Sequence, residues 1–171
     1  MLKPTVWRFC LGLLIAAVPA FATTGHAQTK VGERIGDWTF QCQAISAKET
    51  ICALTQAFIN KQANQRILTL TLRPFGPDKK LMLFALLPLG VYLPTGLTGT
   101  IDDGTPFFYT WQRCTNQGCE ASTEIDATRR TAMKAGKVLA VSFKGQADAE
   151  PLVVSASLKG ITQGLKELGV E

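Results

Sequence analysis

Leu81-Met-Leu-Phe-Ala-Leu-Leu-Pro-Leu-Gly-Val-Tyr-Leu93 is the most apolar run of the chain beyond its N-terminus. At thirteen residues it is too short to cross a bilayer as a helix, which takes roughly 20. Pro88 and Gly90 interrupt it as well. One reading is a buried strand over Leu81–Leu87, a kink at Pro88–Gly90 and a short extended piece to Leu93. The other is an exposed apolar patch for a lipid or a protein partner. Unbroken apolarity over Leu81–Leu87 predicts a strand near the centre of its sheet.

Outward from this run the alternation has a period of two. Leu68, Leu70 and Leu72 alternate with Thr69 and Thr71, which predicts a half-buried antiparallel strand over Ile67–Arg73. Pro74–Asp78, with two prolines, reads as a loop. Asp102-Asp-Gly104 predicts a tight hairpin between Thr98–Ile101 and Phe107–Trp111. Phe107, Tyr109 and Trp111 share one face of the second strand. Upstream, Asp37–Gln43 and Ile51–Asn60 read as two strands joined by the polar loop Ala44–Thr50. Downstream, a strand over Glu120–Glu124 precedes a helix over Ala127–Ala135, with Asp126 as its N-cap, Lys134 in its last turn and Gly136 at its end. Val138–Lys144 and Leu152–Leu158 return to strand alternation, with Leu152, Val154, Ala156 and Leu158 expected to face inward. Ile161, Leu165 and Leu168 suggest a short C-terminal helix weakened by Gly164. The fold class expected is all-β, an antiparallel sandwich or barrel-like core with one or two short helices.

The N-terminus carries the pattern of a secretory signal: Lys3 and Arg8, the apolar stretch Cys10–Ala22, and small residues at Gly25 and Ala27 or at Ala20 and Ala22. Cleavage is expected after Ala27, with Ala22 the second choice. The division expected is therefore a signal over 1–27 and a single β domain over 28–171, with no membrane-spanning segment once the signal is removed. Loss of Lys3 and Arg8, with no acidic residue among the first 27, lowers the formal charge from +5 to +3. Basic pairs at Lys79-Lys80 and Arg129-Arg130 are too sparse for a nucleic-acid surface. Four cysteines remain: Cys42, Cys52, Cys114 and Cys119. An even count in an exported chain implies disulfides, and three pairings are open. The turn-like stretches within 42–52 and 114–119 favour the two local bridges. Zinc is disfavoured by the spacing and by an oxidising compartment.

Several longer motifs carry a resemblance. Leu81–Pro94 as quoted, Gly96-Leu-Thr-Gly-Thr-Ile-Asp-Asp-Gly104 and Thr110-Trp-Gln-Arg-Cys114 are similar to the invasion-associated locus B family. Gly36-Asp-Trp38, Cys52-Ala-Leu-Thr-Gln56, Gln117-Gly-Cys-Glu-Ala121 and Leu152-Val-Val-Ser155 extend the resemblance from about Gly36 to Leu168. It implies a small exported bacterial protein without known enzymatic activity, in a family named for host-cell entry.

Catalysis is narrowed by elimination. The one histidine, His26, falls in the signal, so nucleophile–histidine pairs and histidine metal sites are lost with it. Glu49, Asp102, Asp103, Glu120, Glu124 and Asp126 are candidates for carboxylate chemistry by residue type only, and no cofactor fingerprint is present. The expectation is a non-enzymatic periplasmic or surface protein without cofactor or metal, whose partner is an unidentified envelope or host-surface protein. A structural or stress-related role, and a carboxylate hydrolase or inhibitor, are the alternatives. The disulfide-held loop Cys114–Cys119 is the expected recognition element, with Trp111, Arg113, Asn116, Gln117 and Glu120 as candidate contacts.

Overall fold

The computed structural model describes residues 32–170. The expected signal segment and its cleavage sites lie outside the described residues. Ten strands follow in chain order: β1 (Arg34–Ile35), β2 (Trp38–Ser46), β3 (Glu49–Asn60), β4 (Gln65–Phe75), β5 (Lys80–Leu87), β6 (Leu97–Ile101), β7 (Phe107–Thr115), β8 (Gly118–Glu124), β9 (Val138–Phe143) and β10 (Leu152–Ser157). Helix α1 (Ala127–Ala135) lies between β8 and β9, and α2 (Ile161–Glu167) follows β10. The described chain is thus mainly antiparallel β with two short helices, as the alternation predicts.

The strands run in the order β1-β2-β3-β4-β5-β8-β7-β6-β9-β10. Strand β7 serves both halves of the sheet. Its first residues pair with β6 (Leu97↔Tyr109, Gly99↔Phe107) and its later ones with β8 (Thr110↔Ser122, Cys114↔Cys119). The two halves share one core. On β4 and β5 the inward residues Leu68, Leu70, Leu72, Leu83 and Leu87 are fully buried against Leu97, Leu139 and Val141 of the other half. Each such leucine contributes about 1.5–3 kcal/mol by leaving water. Strand β5 takes the central position expected of it, with β4 on one side and β8 on the other.

Several boundaries differ from expectation, each for a local reason. Strand β4 runs on through Pro74 and Phe75, paired to Leu81 and Lys80. Its pairing with β3 ends at Leu72, so the missing N–H of Pro74 falls on an already unpaired side. No strand forms at Val91–Leu93. Gly90 has φ of 96°, and a 3-10 turn over Leu93–Thr95 with Pro94 in its first positions takes the place of the short extended piece. The β6–β7 connection is wider than a tight Asp-Gly turn, because Thr100 and Ile101 pair with β9 instead. Asp102, not Gly104, adopts the positive φ there. Its carboxylate accepts hydrogen bonds from the backbone N–H groups of Lys137 and Val138, at 2.9–3.1 Å. Helix α1 matches its expected span, with the Asp126 carboxylate accepting from the Arg129 N–H.

The β fold has two unlike ends. At the first, α1 and α2 cover the core and β10 is fastened to β2 and β3. The Trp38 indole N–H donates to the Ser157 carbonyl at 2.9 Å. The Gln56 amide donates to the carbonyls of Asp37 and Ser157, and its oxygen accepts from the Ser157 N–H. Gly36 and Gly160, both with positive φ, pass so closely that a Cβ on either would collide with the other segment's backbone. Gly164 weakens the helical pattern of α2 but is needed for packing, since a Cβ there would overlap the Leu54 side chain. At the second end four connections gather: residues 61–64, 88–96, 116–117 and 144–151.

Candidate binding site

The second end holds two adjoining clefts. One, of about 290 Å³, is lined by Asn60, Ile67, Pro88, Leu89, Val91, Phe143 and the start of β10, Leu152–Val154. Its lining is predominantly apolar. The other, of about 390 Å³, is bounded by Gln65, Arg66, Asn116 and Gln117, and shares Pro88 and Leu89 with the first. Leu89, Leu152, Val153 and Ile59 are 56–59% exposed around this end. These four large apolar side chains form an exposed apolar patch on one end of a small domain.

Local sequence explains how this surface arises. Pro88 and Gly90 bracket Leu89, so the chain leaves β5 in a turn and Leu89 has no strand partner among the described residues. Of the apolar run, Leu81, Leu83, Ala85 and Leu87 are core, whereas Leu89 and Leu93 are exposed. The run thus divides at Pro88 into a buried strand and an exposed apolar piece. In β10 the adjacent apolar residues Leu152, Val153 and Val154 cannot all face one side. Val154 is buried. Val153 points outward, and Leu152 lies beyond the rim of the core, more than half exposed, so it does not join the inward row as alternation predicts.

The five candidate contacts are placed in three settings. Asn116 and Gln117 form the exposed tip of the β7–β8 hairpin, and the Arg66 guanidinium donates to the Gln117 carbonyl at 3.2 Å. This bond ties the tip to the start of β4, beside the polar cleft. Arg113 and Glu120 face each other across β7 and β8 beside a bulge at Gln112, away from the clefts. Trp111 is half-buried against the core, and its indole N–H donates to the Leu93 carbonyl at 3.2 Å. It braces the 88–96 connection and does not project as an anchor. Cys114–Cys119 and Cys42–Cys52 form the two disulfides, each across a non-sequential pair of one hairpin. Sequence reasoning placed Leu152 inward, and singled out neither Leu89 nor Val153 as a surface group. The readable signals were an apolar residue held between Pro and Gly, and a run of three apolar residues in a strand of period two.

Charge is arranged on the outer face of the first half-sheet. The Arg73 guanidinium lies over the rings of Phe75 and Phe84, 4.9 and 4.5 Å from their centroids. Burial pushes its pKa down, and the charge of Glu120 partly offsets this. Lys80 donates to Glu124 at 2.9 Å, and this hydrogen bond raises the lysine pKa. The carboxylates of Asp102, Glu124 and Asp126 are each engaged in a structural bond. Among the described residues no cluster of three or more His, Cys, Asp or Glu is placed to hold a metal.

Residues 38–169 match the family model for the invasion associated locus B (IalB) protein. The chain belongs to the IalB family. Two curated relatives, invasion protein B homologues of Brucella abortus strain 2308 and of Brucella abortus biovar 1 strain 9-941, are each 31% identical over 156 residues. Each alignment covers 90% of this chain and 88% of the relative. The crystal structure of invasion associated protein b from Bartonella henselae superposes with a TM-score of 0.70 at 20% identity. It covers 81% of this chain and 95% of that one, and so shares the fold.

Proposed function

We propose that this IalB-family chain is an exported, non-catalytic binding protein that recognises an envelope or host-surface protein through its loop end. The observation that carries this reading is the pair of adjoining clefts rimmed by exposed Leu89, Leu152 and Val153. An apolar slot beside a polar tip has the composition of a recognition surface, with apolar contacts for affinity and a few placed polar groups for orientation. The tip is held by the Cys114–Cys119 bridge and by Arg66, so binding through it orders little additional chain. Export is supported by the N-terminal pattern and by the two disulfides. The family's association with invasion, and the names of the Brucella relatives, support a role in host interaction. The non-catalytic reading is supported by the structural use of Asp102, Glu124 and Asp126.

The test uses purified mature protein added to bacterial envelope fractions and to host cells. Leu89→Asp should lower binding at least tenfold while leaving the melting temperature within a few degrees of the parent. Asn116→Ala with Gln117→Ala should lower it by a smaller factor. Binding unaffected by either change overturns the assignment of this end. N-terminal sequencing of the envelope protein should begin at Gln28, or at Thr23, and a retained Met1 would contradict export by signal cleavage.

A further inference from the structure

We infer that the free edge of β10 receives an extended, uncharged segment of another protein as an added strand, with an apolar side chain of that segment seated in the 290 Å³ cleft. The inference rests on the proposed binding role of the loop end and names the chemistry of its partner.

Strand β10 ends the strand order and, among the described residues, pairs on one side only, with β9. In an antiparallel ladder successive residues direct their N–H and C=O groups to opposite sides. Ser157 directs both groups away from β9, to the Gln56 amide. Val153 and Ser155 have the same parity, so their N–H and C=O groups also point to the open side. No described residue bonds to them. Exposed strand edges are ordinarily blunted by lysine, proline, bulges or a covering segment. The stretch Leu152-Val-Val-Ser-Ala-Ser157 has no charge and no proline, and its register with β9 is unbroken from Leu152 to Ser157. Gln56 caps only its last residue.

Space is present along this edge. A groove of about 410 Å³ runs beside Ser155 and Ser157, bounded by Thr55, Ala57 and Phe58 of β3 and by Arg34 and Asp37, whose charges pair with each other at 3.9 Å. The apolar cleft opens at the other end of the strand, against Leu152, Val153 and Val154. An added strand therefore meets four backbone groups for pairing, small polar side chains along its length, and an apolar slot at one end. Main-chain bonds give such a complex its affinity, and the slot selects the side chain.

A second copy of this chain fits poorly as the occupant. Symmetric antiparallel pairing of two β10 strands, using all four free groups, sets Val153 against Ser155. Val154 and Ala156 of that copy are already buried in their own core, which leaves Ser155 and Ser157 to face the apolar slot. Ser157 is moreover bonded to Gln56. A six-residue edge is also far below the roughly 800 Å² per partner of a stable dimer, whereas it matches one short extended segment.

The experiment titrates the mature protein with a panel of terminally blocked hexapeptides alternating Thr with Val, Ile, Leu or Phe, followed by amide NMR and hydrogen exchange. At least one peptide should bind and slow exchange at Val153 and Ser155 tenfold or more. Its analogue N-methylated at alternate residues should not bind. Val153→Pro, which removes an outward N–H, should weaken binding at least tenfold, and Val153→Lys should do the same if the proline variant does not fold. Failure of the whole panel, binding indifferent to N-methylation and to both variants, or protection confined to other amides overturns the inference. So does a concentration-dependent dimer in sedimentation that protects these same two amides, which assigns the edge to a second copy. If Leu89→Asp abolishes envelope or host binding while Val153→Pro leaves it intact, the loop end remains the recognition surface and strand addition is wrong.

Discussion

The two ends of β10 are treated in opposite ways, and the contrast separates what holds this molecule together from what it offers to others. At the helix end the strand is fastened by side-chain bonds from Trp38 and Gln56 and by the glycine-to-glycine approach of residues 36 and 160. At the loop end the same strand presents free backbone groups and two exposed apolar side chains beside an open cleft. A six-residue strand needs only one anchored end to keep its register, because pairing with β9 is continuous. The other end is then available for recognition. The stability cost of substitutions should accordingly be steep at the first end and shallow at the second.

The largest effect is expected at the glycine contact. Gly160→Ala should destabilise by about 4 kcal/mol, since a side chain there combines a positive φ with a collision against the Ile35 carbonyl. Chemical denaturation measures it, and a loss below 1 kcal/mol would mean that the helix end is not tightly closed. Next come the bridges, one near each end. Replacing Cys42 and Cys52 together by serine should cost about 3 kcal/mol, and replacing Cys114 and Cys119 about 2 kcal/mol, because sequence separations of 10 and 5 close loops of different length. A reversal of that order would show that the tip loop is strained or that the unfolded chain retains structure there. Gln56→Ala should cost about 2 kcal/mol, mainly by stranding the Ser157 N–H and C=O. In hydrogen exchange the Ser157 amide should lose protection in this variant while the Val154 amide, bonded to β9, keeps its own.

Tyr109 lies between the ends, on the strand shared by both halves, and sharpens the comparison differently. Its hydroxyl is buried with no hydrogen-bond partner among the described residues. Burial raises its pKa above the ordinary 10.0. Tyr109→Phe should therefore stabilise the fold at neutral pH by up to about 1 kcal/mol. The pH dependence has a definite sign. Above pH 10 the unfolded phenol releases its proton while the folded one retains it, so this group's contribution falls as pH rises past that point. The difference between Tyr109→Phe and the parent should thus widen in alkaline melts and be constant below pH 9. The smallest effect is expected at the open end. Val153→Lys should change stability by no more than about 0.5 kcal/mol, as exposed substitutions usually do. A loss comparable to that of Gln56→Ala would show that Val153 serves the core and would dissolve the contrast between the ends.

Sequence alone determined much of this protein. The alternation in Ile67–Arg73 and Val138–Lys144, the Asp126 cap and the span of α1 are all set by interactions within a few residues, so local pattern suffices to read them. The long motifs around Leu81–Pro94 and Thr110–Cys114 carried the family. The candidate site was only partly legible. Asn116 and Gln117 line a cleft at the loop end, because a short bridged hairpin has few places to go. Trp111 reads as a candidate contact in the sequence, whereas in the fold its indole N–H is bonded to the Leu93 carbonyl, 18 residues away. Gln56 stands in a family motif, but its bond to Ser157 carries no local signal, because that partner lies 101 residues along the chain. Leu152 reads as core because apolarity is a property of the residue, whereas exposure depends on what else reaches that end of the sheet. Tertiary structure alone decided that β5 would pair with β8, that β7 would serve both halves, and that β10 would be sealed at one end and left open at the other. Those outcomes depend on contacts between segments distant in sequence, where short-range periodicity carries no information.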